Sequence, residues 1–219
     1  MPDISSHDAA TGIDRRSLLA MGGAGLVVGL SSRSARAQSP VPALQGLPLF
    51  VKRGLPGPFH EALRPLEGSW AVDKRIYIAI GTKERPAVSR SMTCKRVWVG
   101  GGKHLQDVTE GSLGDGSYYR MGVLGFSTMD HRYEWVTFDA LNANMMLYYS
   151  AAMDVPSARI VLTGTFTDQG LLGEAHAGKS IPMRTTMEIQ GPDRHVIDLI
   201  FMPPGEPEVL IDHSIYTRA

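Results

Sequence analysis

The chain has 219 residues, 43% of them hydrophobic and 20% charged, with 22 basic against 22 acidic side chains and one cysteine, Cys94. That length suits a single domain after processing. The balanced charge leaves no basic excess for nucleic acid or an anionic membrane, and a lone cysteine excludes an internal disulfide, so the fold must be held by its core.

Residues 1–37 read as a targeting segment, not as structure. Asp14-Arg15-Arg16-Ser17-Leu18-Leu19 carries the twin arginine of a Tat-type signal. The apolar run Leu18 to Leu30 is thinned by Gly22, Gly23, Gly25 and Gly29 and is short for a membrane span. Ala35-Arg36-Ala37 is a small-x-small cleavage site, which places the mature start at Gln38 and the mature protein in the periplasm with no stable membrane anchor. Left uncleaved, the same run would be an anchor. Cleavage removes four arginines and three aspartates and leaves 18 basic against 19 acidic residues.

Residues 38–57 hold Pro40, Pro42, Pro48 and Pro56 and read as a proline-rich linker before the domain at 58–219. Gly57-Pro58 then opens one short helix, with proline well placed at a first helical position. Phe59, Leu63 and Leu66 form its apolar stripe. Pro65 should end or tighten it near Arg64, and Gly68 completes the stop. So short a helix needs a partner surface, so it is expected to plug or cover the strands that follow.

From Ser69 onward the period is two. Trp70, Val72, Ile76, Ile78 and Ile80 share a face. Further runs follow at 88–99, 104–110, 118–128, 131–140, 145–152 and 159–168, then a glycine-rich loop at 169–179, and runs beginning at Ile181, His195 and Val209. Gly100-Gly101-Gly102, Gly191-Pro192-Asp193 and Pro203-Pro204-Gly205 are turn signals. Short strands with regular turns predict an all-β antiparallel meander. About ten strands are expected to close into a barrel with room for one small ligand.

His60-x-x-Leu63-x-x-Leu66-x-Gly68-x-Trp70, Gly122, Gly125, Tyr133-x-Trp135 and the final Ile215-Tyr216-Thr217-Arg218 resemble a bacterial family, domain-of-unknown-function family fifteen seventy-nine. The likeness spans Pro58 to Arg218 and implies a lipocalin-like barrel; it implies no settled activity.

No strong catalytic motif is present: no His-Glu-x-x-His, Cys-x-x-Cys, Gly-x-Ser-x-Gly or phosphate loop. Gly100-Gly101-Gly102-Lys103 reads as a hairpin turn. His104, His131, His195 and His213 fall on different strands without an i, i+2 pair, so no metal is expected, and no cofactor either. Arg120, Tyr133, Asp139, Arg184, Glu188, Asp198, Asp212 and Arg218 are strand positions able to point inward. His60 is set beside the barrel mouth, either as a polar contact for a ligand or as a structural link.

The expected function is binding of a small apolar or aromatic molecule in the cavity. Trp70, Tyr133 and Trp135 would supply contact area, His60 a polar group, and Arg120 or Arg184 a bidentate partner for a carboxylate. The alternative is a cofactor-independent isomerase or lyase acting on a small aromatic or lipid-like substrate there, with a desolvated histidine or carboxylate as acid or base. Nothing in the sequence fixes an oligomeric state.

Overall fold

The computed structural model describes residues 46–219. The expected signal segment 1–37, its cleavage site and the first part of the linker lie outside the described residues. Within the remaining linker, α1 (Leu49–Arg53) makes one helical turn, closed by Gly54. The Thr128 hydroxyl donates to its Arg53 carbonyl at 2.6 Å.

The expected helix is α2 (Pro58–Ala62). It tightens into a 3-10 turn at Arg64–Leu66, where Pro65 cannot supply an amide hydrogen. Gly57 N–H donates to His60 Nδ1 at 3.1 Å, satisfying one of the donors that a helix start leaves free. Leu63 and Leu66 are fully buried. Each such leucine is stabilising by roughly 1.5–3 kcal/mol, which is what holds so short a helix in place.

Ten strands follow: β1 (Gly68–Ile76), β2 (Ala87–Val99), β3 (His104–Leu113), β4 (Gly116–Ser127), β5 (Arg132–Asp139), β6 (Met146–Tyr149), β7 (Arg159–Thr167), β8 (Ser180–Ile189), β9 (Arg194–Phe201) and β10 (Val209–Arg218). Each pairs with the next, and β10 pairs antiparallel with β1 to close the barrel. The sequence runs map onto these strands one for one. Three ends differ by three residues or more: β1 stops at Ile76, so Ile78 and Ile80 lie in a loop, β3 runs on to Leu113, and β6 stops at Tyr149.

Alternation along the strands turns Trp70, Val72, Lys74 and Ile76 inward on β1. Two bulges reset it elsewhere. Val72 and Lys74 pair with Met92 and Ser89, so β2 carries an extra residue and both of those side chains are buried. Leu210 and Asp212 pair with Ile200 and Leu199, so β10 carries the other; this turns Asp212 to the interior beside Ile211.

The helical segment closes the barrel end where β1 begins. Phe59 stacks on Phe126 with centroids 3.9 Å apart, and the Tyr133 hydroxyl donates to the Phe59 carbonyl at 3.0 Å. Trp70 Nε1 donates to the Leu66 carbonyl at 3.0 Å. Arg218, at the end of β10, ties this plug to the wall. It donates to the Glu67 carbonyl at 3.0 Å and the Pro65 carbonyl at 2.8 Å, bonds Pro192 on the far side, and lies over the Trp70 ring at 4.2 Å. Gly68 has φ +119, and a Cβ there would come within 2.6 Å of Arg218 Nη1. Glycine is required on both counts. Gly68, Trp70 and Arg218 are thus one packed unit drawn from the two ends of the domain.

Candidate functional site

The barrel interior has three layers. Around the plug it is filled: Leu63, Leu66, Trp70, Leu105 and Tyr133 are at most 1% exposed.

The middle layer is charged. Arg96, Asp107 and Gly122 are cross-strand neighbours on β2, β3 and β4. Arg120 Nη2 donates to Asp107 Oδ1 at 2.6 Å, and its guanidinium lies 5.0 Å from the Trp135 ring. A Cβ on Gly122 would collide with Asp107 and lie 2.7 Å from Trp135 Nε1, so glycine gives these two groups their room. Among the described residues no carboxylate pairs with Arg96. Its Nη1 lies 2.6 Å from His195 Nε2, and its guanidinium lies over Tyr216 at 4.6 Å. Arginine only donates, so His195 Nε2 must accept and carries no proton. Burial, then Arg96 and Arg218, push the His195 pKa down to about 2. Tyr148 is pushed up to about 12 by burial.

The third layer is open. At the end opposite the plug is a cavity of about 170 Å³. Ile76, Ile78, Met146, Leu171, Phe201 and Ile211 give it apolar walls; Tyr118, Asp139, Asn142 and Asp212 are its polar members. Asp139 Oδ1 accepts from the amides of Leu141 at 2.8 Å and Asn142 at 2.9 Å, so the carboxylate anchors the loop that forms part of the rim. Asp212 is ion-paired with Lys74 and accepts from the Ser214 hydroxyl at 2.7 Å. Lys74 is 4% exposed and also sits 5.2 Å from the Tyr118 ring. The Tyr118 hydroxyl makes no hydrogen bond among the described residues, and burial followed by the nearby Asp139 raises its pKa well above the usual 10. The phenol is therefore protonated at neutral pH and both donates and accepts.

A larger hollow, about 480 Å³, lies along β4 to β6 and takes in Val123, Val136, Leu147 and Tyr149. Leu147 and Tyr149 are exposed, which marks it as a groove on the outer wall. Among its polar members Ser127 bonds Asp130 and Glu134 bonds Arg132, while His104 is exposed. The open-end cavity, on which Tyr118, Asp139 and Asp212 converge, is the better candidate.

The six residues singled out from the sequence separate into three places. His60, Trp70 and Tyr133 gather at the plug, where His60 is 3% exposed, edge-on to Phe126, and held below its usual pKa by burial and then by His104. Arg120 and Trp135 come together in the middle layer. Arg184 is on the outer wall, bonded to Glu208 at 2.9 and 2.6 Å. None of the six lines the open-end cavity. Asp139 and Asp212 do, as inward pointing allowed; Glu188 is exposed and Asp198 bonds His213 at 2.6 Å. Lys74 and Tyr118 were missed. Parity with Trp70 and Val72 is the signal that marks Lys74. Tyr118 precedes Arg120 by two and shares its face. Among the described residues no group of three or more histidine, cysteine, aspartate or glutamate side chains is placed to hold a metal.

Residues 55–218 match the family described as "Protein of unknown function (DUF1579)". No curated protein matches the chain. Among solved structures the chain is similar to the S-type phycobiliprotein lyase CPES from Guillardia theta, at 12% identity and a TM-score of 0.48, over 79% of this chain and 98% of that one.

Proposed function

The chain belongs to the DUF1579 family, and from that starting point we propose that it is an exported, periplasmic barrel that binds a small apolar or aromatic molecule in its open-end cavity. The observation that carries this reading is the unfilled, apolar-walled space of about 170 Å³ above Tyr118, Asp139 and Asp212, in a barrel otherwise packed with side chains. The twin arginine of Arg15-Arg16 and the Ala35-Arg36-Ala37 site support export.

The volume sets the ligand class. An apolar cavity of about 150 Å³ takes a benzene-sized guest, whereas drug-sized ligands need about 300–1,000 Å³. The body that enters is therefore one ring or a short chain. A ring burying roughly 150–250 Å² gains about 4–6 kcal/mol at 25 cal/mol per Å². That corresponds to a Kd between about millimolar and tens of micromolar. Tyr118 and Asp139 add orientation.

Thermal unfolding of the full chain with saturating toluene or p-cresol tests the proposal. Free ligand at about 100 times its Kd should stabilise the protein by about 2.7 kcal/mol. Met146→Trp, which fills the cavity from β6, should abolish the shift. No stabilisation by any single-ring compound, or an undiminished shift in Met146→Trp, would refute it.

Tyr118 beside two carboxylates supports a second reading, an isomerase or lyase acting in the same cavity, with a carboxylate as base and the phenol as donor to a developing oxyanion. Under that reading Tyr118→Phe retains binding and loses turnover.

A further inference from the structure

We infer that the open-end cavity selects a cationic amine: a small apolar or aromatic body carrying an ammonium group, with its charge set against Asp139 and its second donor toward the Tyr118 hydroxyl. This deepens the proposed function and rests on it.

The charges around the cavity do not cancel. Lys74 is the cation nearest its floor, and it is already committed to Asp212 and, at 3.4 Å, to Ser214. Arg120 is the cross-strand partner of Asp139, yet its guanidinium turns down the barrel to Asp107. Asp139 makes no ion pair among the described residues; one oxygen takes the two loop amides and the other is unassigned. One carboxylate therefore remains uncompensated at the edge of a low-dielectric space.

The second observation is independent of the acids. Tyr118 is only 5% exposed, lines the same cavity, and its hydroxyl has no hydrogen-bond partner among the described residues. Its oxygen is reached from the cavity rather than sealed in the core, so a ligand donor entering there gains a bond. An ammonium carries three donors, enough for a carboxylate and a phenol oxygen together. A carboxylate ligand would face Asp139 and Asp212 with no cation left to meet it. A neutral ring would fill the walls and leave Asp139 unpaired.

Calorimetric titration of the full chain at neutral pH with benzylamine, benzyl alcohol and benzoate, rings of nearly equal size, tests the inference. A hydrogen bond to a charged group at this exposure should favour benzylamine over benzyl alcohol by about tenfold, with benzoate weakest. Asp139→Asn keeps an oxygen for the Leu141 and Asn142 amides while removing the charge. It should bring benzylamine and benzyl alcohol to equal affinity. Benzyl alcohol or benzoate binding as tightly as benzylamine in the wild type, or a preference for the amine that survives Asp139→Asn, overturns the inference and leaves the apolar site standing. If none of the three binds, the site itself is refuted and this inference falls with it.

Discussion

His195 should make the barrel lose stability in mild acid. The ring is fully buried, stacked on Tyr216 with centroids 4.4 Å apart and edge-on to Trp70 at 4.4 Å. Its Nε2 lies against the Arg96 guanidinium at 2.6 Å. Protonation would remove the acceptor and place two cations in contact, and the folded pKa is accordingly about 2. In the unfolded chain the same ring titrates near 6.5. Below that value the unfolded state binds a proton that the folded state refuses, so stability falls as pH falls, by about 1.4 kcal/mol per unit. From about pH 8 to pH 5 the loss from this one ring is about 2 kcal/mol. Few carboxylates titrate in that window. His60 is also held below its usual value by burial and acts in the same direction. The assay is urea unfolding followed by tryptophan fluorescence across this range, for wild type and His195→Gln. The glutamine oxygen still accepts from Arg96 but does not titrate, so the wild-type curve should fall more steeply by about 2 kcal/mol. Parallel curves would refute the neutral, guanidinium-bound histidine.

Two further outcomes are expected. Arg218→Gln should loosen the plug, because at least two carbonyls and the Trp70 face lose their partner together; a loss of about 2–4 kcal/mol is expected from bonds of this kind, read as a lower urea midpoint, and an unchanged midpoint would show that the clamp adds nothing. Arg15→Lys with Arg16→Lys should retain the precursor in the cytoplasm on fractionation, and undiminished export would rule out the Tat route.

The strand count, the turn positions and the helical plug were legible in the sequence because half-buried strands alternate with period two and because Pro65 and Gly68 punctuate the helix. Closure followed from having ten strands with nowhere to leave an edge. Side-chain direction was less legible. Arg120 and Arg184 look alike on paper, but Arg184 stands between inward Met183 and Thr185 and faces out, whereas Arg120 alternates with Tyr118 and Gly122 and faces in. Polarity misleads here, since the barrel interior holds Lys74, Arg96, Asp107 and His195. The bulges at Val72/Lys74 and Leu210/Asp212 leave no mark in composition, and the second is what turns Asp212 to the cavity. The site was expected beside the helix because a lid suggests a mouth. The helix instead fills its end, and the space lies where no element covers the strands.

The central claim is that a small apolar molecule enters at that uncovered end. Carbon–proton spectra of the full chain with isoleucine and leucine methyls labelled, titrated with toluene, test it residue by residue. Shifts should concentrate on Ile76, Ile78 and Ile211 around the cavity, with Ile160 and Ile181 in the closed core unmoved. Shifts centred on Leu147 in the outer groove, or none at the cavity isoleucines at saturating toluene, would contradict the account.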